Sequence, residues 1–408
     1  MKNYVDGNLE AMATIPFSLT SPEFIENPYP FYDKLRSISP IYWGNSVKYP
    51  GWYVTGYKEA VAILKDTRFE NRIPLPQTSK KYEHLKNLQN DMLLFKNKVD
   101  HKRLRTLVSK LFAPNVVESY RPNIEETVNE LLNEVQNEKR MDLVSDFAFP
   151  FASLIIAKIL GVPVEERHQF KEWTVDLIQT IDFTRTRRSL ADGNDTIRIL
   201  IDYFRELIEK RKLNPQNDLI SLLMKEEQQG DKLSNEELLA TCILLVIAGH
   251  ETTVNLITNS ILSLLTHPEQ LVELKESPLL IEKAVEEFLR YESPTQMTAR
   301  IASEDIEING MTIKKGEQVY ILLGAANRDP KKFNNANVLD ITRNPNPHIA
   351  FGYGIHFCLG SSLARLEAQI AIQTLLQRLH NLQMATPDLQ WRKLTGFRAL
   401  KELPITFN

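Results

Sequence analysis

The residues best suited to chemistry fall in four groups. The first is the stretch Phe351-Gly352-Tyr353-Gly354-Ile355-His356-Phe357-Cys358-Leu359-Gly360. Cys358 lies among glycines there, just ahead of a run (Ala364, Ala368, Ala371, Leu375, Leu379) with helical spacing. Glycines let backbone fold tightly round a sulfur and let a flat ligand come close. The first N–H groups and positive dipole end of the helix that follows would lower the thiol pKa, which suits a thiolate metal ligand better than a disulfide. The second group is Ala248-Gly249-His250-Glu251-Thr252-Thr253, where a carboxylate and an alcohol interrupt an apolar run. Such a pair can pass protons under control while bulk water is kept out. Third, Glu287 and Arg290 stand three apart, on one face of a helix. The fourth group is cationic: His101 and Arg105 one helical turn apart, Arg300 in the apolar Thr298-Ala299-Arg300-Ile301, and His356. Arginine in particular suits bidentate contact with carboxylates.

These groups need elements to hold them. Ser234-Asn235-Glu236-Glu237 is a capping box and predicts a helix running to about Thr266, before His267-Pro268. Leu238 to Ile247 is apolar nearly all round, so this helix should cross the core. Gly249 and the hydroxyls of Thr252 and Thr253 predict a kink or a widened turn in it. Ser277-Pro278, as N-cap and first helical residue, predicts the start of the helix that carries Glu287 and Arg290. Near the start, Pro28 to Tyr32 opens a short helix, and Tyr42-Trp43 and Trp52 to Thr55 are β-rich runs split by Pro50-Gly51. Helical spacing then dominates, with breaks at Pro74, Pro76, Pro114, Pro122, Pro150, Pro163 and Pro215. Ile306 and Ile308 alternate up to Asn309-Gly310, a hairpin signal, and Val319 to Leu322 continue the β region. Further β-prone segments surround Phe397 and Ile405. The expected fold is mainly α with a small β region (α+β): β-rich parts about 38–56 and 295–325, and a helical core about 58–292 and 358–380. Length alone suggests several domains, but motifs at 101, 251, 287 and 358 make chemical sense only if they converge, so residues 1–408 are read as one domain.

Composition narrows the function. Hydrophobic residues make up 43% and charged residues 25%, an ordinary globular balance, and a net charge of −3 argues against a general nucleic-acid binder. Cys242 and Cys358 are the only cysteines, so no disulfide framework is implied, which fits a reducing cytoplasm. Met1-Lys2-Asn3-Tyr4-Val5-Asp6 leads into no apolar segment, so neither a signal peptide nor a membrane anchor is expected there. Leu238 to Ala248 is too short an apolar run to span a bilayer.

Taken together, the cysteine loop, Ala248-Gly249-His250-Glu251-Thr252, Glu287 with Arg290, and His101 with Arg105 resemble the cytochrome P450 superfamily, in its order and spacing. The resemblance implies a single-domain fold with a buried haem b whose iron is held by the Cys358 thiolate. It implies Glu251 and Thr252 as the catalytic proton relay. It also implies His101, Arg105, Arg300 and His356 as propionate donors, Ala248, Gly249 and Gly360 as further cofactor contacts, and Glu287 and Arg290 as a structural network.

At finer scale, five stretches are similar to the biotin-pathway branch of that family: Lys48 to Tyr57, Gln179 to Arg185, Ala248 to Ile257, Arg290 to Arg300, and Cys358 to Ile372. Tyr353, Ile355 and Phe357 depart from it, being less polar than the branch leads one to expect. This likeness implies a monooxygenase that hydroxylates neighbouring carbons of a fatty acyl chain, free or on acyl carrier protein, and then cleaves the diol to a seven-carbon pimeloyl unit for biotin. It implies a ferredoxin or flavodoxin donor with its reductase. An internal carbon is attacked selectively only when the chain is bent and held; Ile247, Ala248, Pro294, Thr295 and Met297 are candidates to line that face, and Leu75, Leu93, Leu94, Ile178 and Phe183 to form a lid. Arg185, Arg187 and Arg188 could meet a carrier protein, or be a solvated helix face. Lys102, Arg103, Arg343 and Arg365 could form a basic patch for the electron donor, or a solvated cluster. Competing readings are a hydroxylase of another lipophile (fatty acid, steroid, polyketide), a haem-based sensor, and a peroxide-driven enzyme, which the absence of arginine from Gly249-His250-Glu251 disfavours.

Overall fold

A helix crosses a core most readily when it is apolar nearly all round, as residues 238–247 are apart from Thr241. The computed structural model describes residues 18–45, 49–71, 80–96, 98–166, 169–227 and 233–408. Lys48, Pro74, Leu75, Pro76 and the first six residues lie outside them. Eight helices matter for the site: α1 (Lys98–Ser109), α2 (Arg121–Val135), α3 (Phe149–Leu160), α4 (Gln169–Ile181), α5 (Arg187–Leu213), α6 (Asn235–Thr266), α7 (Ile281–Tyr291) and α8 (Ser361–Arg378). The capping box at the start of α6 forms as read: the Ser234 hydroxyl accepts the Glu237 N–H (3.1 Å) and the Glu237 carboxylate accepts the Ser234 N–H (2.9 Å). Helix α6 is buried along most of its length and packs against α3, α4, α5, α7 and α8.

Two expectations fail here. Residues 248–253 form unbroken α-helix with no widened turn. Thr241, Thr252, Thr258, Ser260 and Ser263 each donate to the carbonyl four residues back, so the hydroxyls supplement the helical ladder instead of breaking it. The apolar stretch is also longer than the sequence reading allowed: segments 143–160 and 235–266 are both long and apolar enough to cross a membrane. Their apolar windows are 67% and 78% buried within the protein, which marks them as core helices.

The strands are β1 (Ile41–Gly44), β2 (Gly51–Val54), β3 (Phe69–Glu70), β4 (Arg140–Asp142), β5 (Met297–Ala302), β6 (Ile306–Ile308), β7 (Met311–Ile313), β8 (Gln318–Leu322), β9 (Gln383–Met384) and β10 (Pro404–Thr406). They make a five-stranded sheet in the order β1-β2-β8-β5-β3, a three-stranded sheet β4-β10-β9, and the hairpin β6-β7. The hairpin turns at Asn309 (φ +49°) and Gly310 (φ +76°), the left-handed pair that a two-residue connection requires. Strand β5 runs antiparallel to β8 with Arg300 opposite Val319, which carries Arg300 into the interior. One large apolar cluster lies among the helices, and two smaller ones flank the five-stranded sheet.

Glu287 and Arg290 lie on α7 and are wholly buried. Arg290 donates to both Glu287 oxygens (2.7 and 2.8 Å) and to the carbonyls of Ala336 (2.7 Å), Asn327 (3.0 Å) and Val338 (3.0 Å). Glu287 accepts further from the Asp340 N–H (2.9 Å), Arg343 Nε (3.1 Å) and Asn346 Nδ2 (3.1 Å). This knot ties α7 to the segment leading into the cysteine loop. The start of α7 differs from the reading: Pro278–Leu280 is a single 3₁₀ turn, the Ser277 hydroxyl caps nothing, and the α-helix begins at Ile281.

Candidate active site

The cysteine loop bends back on itself ahead of α8. Gly352 and Gly354 take φ +72° and +74°, and a Cβ on Gly354 would collide with the Leu64 carbonyl oxygen. Glycine is therefore required at 354 on two counts. The Cys358 N–H donates to the Phe351 carbonyl (2.9 Å), which closes the loop round the half-buried sulfur. A Cβ on Gly360 would have nothing nearer than a Phe112 ring carbon at 4.0 Å. The thiol pKa does not fall as the sequence suggested. Burial pushes it up, against the opposing pull of the Gly360 N–H and the Arg105 and Arg365 charges. A coordinated metal ion outweighs such burial, because it deprotonates a thiol outright.

Four cationic or imidazole side chains gather near this loop. His101 and Arg105 project from α1, Arg300 from β5 and His356 from the loop itself. The His101 and His356 rings lie 4.4 Å apart, and Arg105 Nη2 donates to the Phe357 carbonyl (2.6 Å). Arg300 is buried and donates through Nη1 to the Ala299 carbonyl (2.8 Å), Thr298 Oγ1 (3.1 Å) and Asn71 Oδ1 (3.4 Å). Burial, then the charges of Arg300, His101 and Arg105, depresses His356 to about 3. Burial and Arg105 depress His101 to about 4, and burial lowers Arg300 to about 10. Among the described residues no carboxylate faces any of the four. A cluster of buried and half-buried donors without an anion of its own is built for an anionic ligand. Two porphyrin propionates are such anions, and the nearby sulfur is the expected axial ligand, so the donor set fits haem.

On α6, most residues around the motif are buried, yet Ala248 is exposed and Thr252 half-buried, so one face of the core helix is open. Gly249 causes no kink and has a packing role. A Cβ there would meet Ile156 of α3 at 3.1 Å, so its bare Cα lets the two helices close up. Thr252 Oγ1 donates to the Ala248 carbonyl (2.9 Å). Glu251 is buried and held elsewhere: Arg392 Nη1 donates to its Oε1 at 2.5 Å. Acid and alcohol are thus adjacent in sequence but fastened to different partners. His250 packs edge-on to Phe149 with ring centroids 4.1 Å apart, and burial lowers it to about 3, a neutral core imidazole. Glu367 of α8 is buried beside α6, accepts the Thr253 hydroxyl (3.0 Å), and is raised by burial to about 8.

Sequence reasoning missed Arg392, which sits in Trp391-Arg392-Lys393 and reads as surface. It also missed the turn to which Arg392 belongs. Thr295 bridges Phe397, the Gln296 N–H donates to the Gly396 carbonyl (2.9 Å), and the Arg398 N–H donates to the Pro294 carbonyl (2.9 Å). Of the pocket candidates, Thr295 and Phe183 keep partial exposure, while Ile178, Ile247, Pro294 and Met297 are buried. Phe183 and Met297 share one apolar cluster, and Ile247 belongs to another. Leu93 is buried and Leu94 half-buried.

The basic patch is largely dissolved by the structure. Arg103 pairs with Glu237, Arg343 with Glu287 (3.1 Å) and Arg365 with Glu286 (2.5 Å), which leaves Lys102 exposed on α1. These arginines serve the fold before they can serve a partner.

Comparison with known proteins agrees with this geometry. The cytochrome P450 family pattern matches residues 13–390. The chain is 62% identical over 394 residues to the biotin biosynthesis cytochrome P450 of Bacillus subtilis (strain 168), covering 97% of this chain and 100% of that one. It is 39% identical over 409 residues to the polyketide biosynthesis cytochrome P450 PksS of the same organism, covering 97% and 100%. Among solved structures it is similar to P450BioI in complex with acyl carrier protein ligated to hexadec-9Z-enoic acid, at 63% identity and TM-score 0.91, covering 95% of this chain and 100% of that one. Its cysteine loop, the donor cluster beside it and its likeness along nearly the whole length converge, and the chain belongs to the cytochrome P450 family of haem-thiolate monooxygenases.

Proposed function

We propose that this enzyme oxidises a long fatty acyl chain carried on acyl carrier protein, hydroxylating neighbouring carbons and then cleaving the bond between them to release a pimeloyl unit for biotin. The whole chain acts as one domain, in the cytoplasm, where its two unpaired cysteines are at home. The observation that carries the reading is 62% identity over nearly the full length to a biotin biosynthesis relative. The P450BioI complex with a loaded carrier supports the carrier-bound form of the substrate.

In this reading Cys358 holds the haem iron, and His101, Arg105, Arg300 and His356 hold the propionates. Bound haem supplies dioxygen activation and the oxidation of C–H bonds, with electrons from a ferredoxin or flavodoxin. The protein supplies placement and protons. The open face at Ala248 and Thr252 receives the substrate. The Thr252 hydroxyl, which donates to the Ala248 carbonyl (2.9 Å), would hold a proton at that face. Glu251 replenishes that proton, and Arg392, whose side chain is 23% exposed, holds Glu251 in place and links it to the surface. Ile247, Pro294, Thr295 and Met297, with Ile178 and Phe183 further out, bend the chain so that internal carbons are presented.

The test is product analysis by mass spectrometry after long-chain acyl carrier protein is incubated with the haem-loaded enzyme and a reduced donor. A seven-carbon acyl fragment is expected. Hydroxylated full-length chains without any such fragment would remove the biotin assignment and leave the monooxygenase class standing.

A further inference from the structure

The turn between α4 and α5 is held unusually firmly for a connection between two helices. Buried Asp182 organises it: Oδ1 accepts the N–H (2.7 Å) and hydroxyl (2.6 Å) of Thr184, and Oδ2 accepts the Gly396 N–H (2.9 Å). The Thr184 hydroxyl also reaches the Lys393 carbonyl (3.1 Å), and the Tyr49 hydroxyl donates to the Phe183 carbonyl (2.5 Å). Thr186 and Ser189 then cap α5 reciprocally. The run Arg185-Thr186-Arg187-Arg188 is therefore presented on a fixed frame.

That frame gathers positive charge in a protein whose net charge is −3. Arg187 and Arg188 are exposed, and the Arg188 side chain, 92% exposed, has only a loose contact with Asp192 at 3.7 Å. The Tyr82 hydroxyl donates to the Arg187 carbonyl (3.2 Å), which brings exposed Lys81 alongside. Exposed Lys393 stands on the facing turn. Arg185 is half-buried and feels the hydroxyls of Tyr49 and Tyr320 and the charge of Asp182. Inward from it, Phe183 meets Tyr320 edge-on (5.7 Å), and both belong to the apolar cluster that contains Met297. A cationic rim thus lies next to the aromatic pair Phe183–Tyr320, which packs in the same apolar cluster as Met297 of β5.

We propose that this turn is the docking surface for the acyl carrier protein. Arg187, Arg188, Lys81 and Lys393 meet carboxylates of the acidic carrier. Arg185 meets the phosphodiester of its prosthetic arm. The proposal rests on the carrier-bound reading above. Charge of one sign at the rim steers an acidic partner, and Arg185 suits a phosphate geometrically.

The experiment titrates the haem-loaded enzyme with hexadecenoyl-loaded acyl carrier protein, and in parallel with free hexadecenoic acid, following the haem absorbance. The double variant R187E/R188E is expected to bind the loaded carrier at least about tenfold more weakly, with a shallower salt dependence, while free-acid binding keeps its affinity. Arg185→Gln, which changes no rim charge, should weaken the carrier and spare the free acid. Retained ferrous–carbonyl absorbance in each variant shows that the fold is intact. Carrier binding as tight in R187E/R188E as in the wild type would overturn the docking surface alone. A wild-type enzyme that binds loaded carrier no tighter than free acid would overturn the carrier reading and the surface with it.

Discussion

Two cationic sites, one on α7 and one beside the cysteine loop, are built on opposite principles. In the first, Arg290 and Arg343 surround Glu287, and Arg290 uses its guanidinium on two carboxylate oxygens and three carbonyls. In the second, Arg300, Arg105, His101 and His356 crowd together with no carboxylate among the described residues, and each imidazole is driven towards neutrality. The first site is complete within the chain, so it serves folding. The second is stable only as far as its imidazoles stay neutral, so it serves a ligand that brings its own negative charge. Residue types alone do not separate them, since both are rich in arginine. The distinction lies in whether the chain supplies the counter-charge.

Removing the counter-charge from the complete site should produce the largest effect. Glu287→Ala strands Arg290 and Arg343 in the interior, and loss of one partner from a buried pair costs about 3–5 kcal/mol. A denaturant midpoint measured on the haem-free and loaded protein should fall in both, or soluble protein should fail to accumulate. A midpoint within error of the wild type would erase the contrast.

The mirror experiment is Arg300→Met. The haem-free protein loses a desolvated cation and should be unchanged or slightly stabilised. Haem affinity should fall roughly tenfold or more, as expected when a hydrogen bond to a charged group worth about 1.5–3 kcal/mol is lost. Haem titration followed by absorbance reads the second quantity and denaturation of the haem-free form the first. If both fall together, Arg300 belongs with the folding site.

The smallest effect is a pair of opposed pH slopes. His101 titrates near 6.5 when unfolded and about 4 when folded, so the unfolded chain binds more protons between these values. Its contribution to the stability of the haem-free form is full above pH 6.5 and is lost as pH falls towards 4. Glu367 runs the other way: its folded carboxyl, at about 8 against an ordinary 4.5, holds its proton, so its contribution is full below pH 4.5 and is lost as pH rises through 8. His101→Gln should flatten the acid limb of the stability profile, and Glu367→Gln, which keeps an acceptor for Thr253, the neutral-to-alkaline limb. Unfolding midpoints at pH 5, 7 and 8.5 distinguish them, and unaltered slopes in both variants would remove titration from the comparison.

What could be read beforehand follows the range of the interactions. The cap at Ser234, the hairpin at Asn309-Gly310 and the strands on either side of Pro50-Gly51 are set by neighbours in sequence, and they formed as read. Cys358, Arg300 and His101 could be singled out because each chemistry-bearing type sits in a pattern that admits few uses. Partners far apart in the chain stayed hidden. Nothing local tells that Arg343 turns inward to Glu287, that Gly249 is bare for the sake of Ile156, or that Arg392 finds Glu251 across 141 residues. Ser277 carried a valid local cue that the 3₁₀ turn made unnecessary.

The segment from Arg392 to Arg398 is only a few residues long, yet it is pinned at widely separated places. Arg392 balances Glu251, Gly396 donates to Asp182, and the carbonyl of Arg398 accepts from Asn259 Nδ2 (2.9 Å) while its guanidinium reaches Glu292 (2.7 Å). A protease cut or frameshift just upstream would strip Glu251 of its arginine, Asp182 of its Gly396 N–H donor and the Asn259 amide, in the middle of the longest helix, of its acceptor, all at once. The tail is thus a keystone, and damage to it should abolish chemistry, substrate capture and structural integrity together.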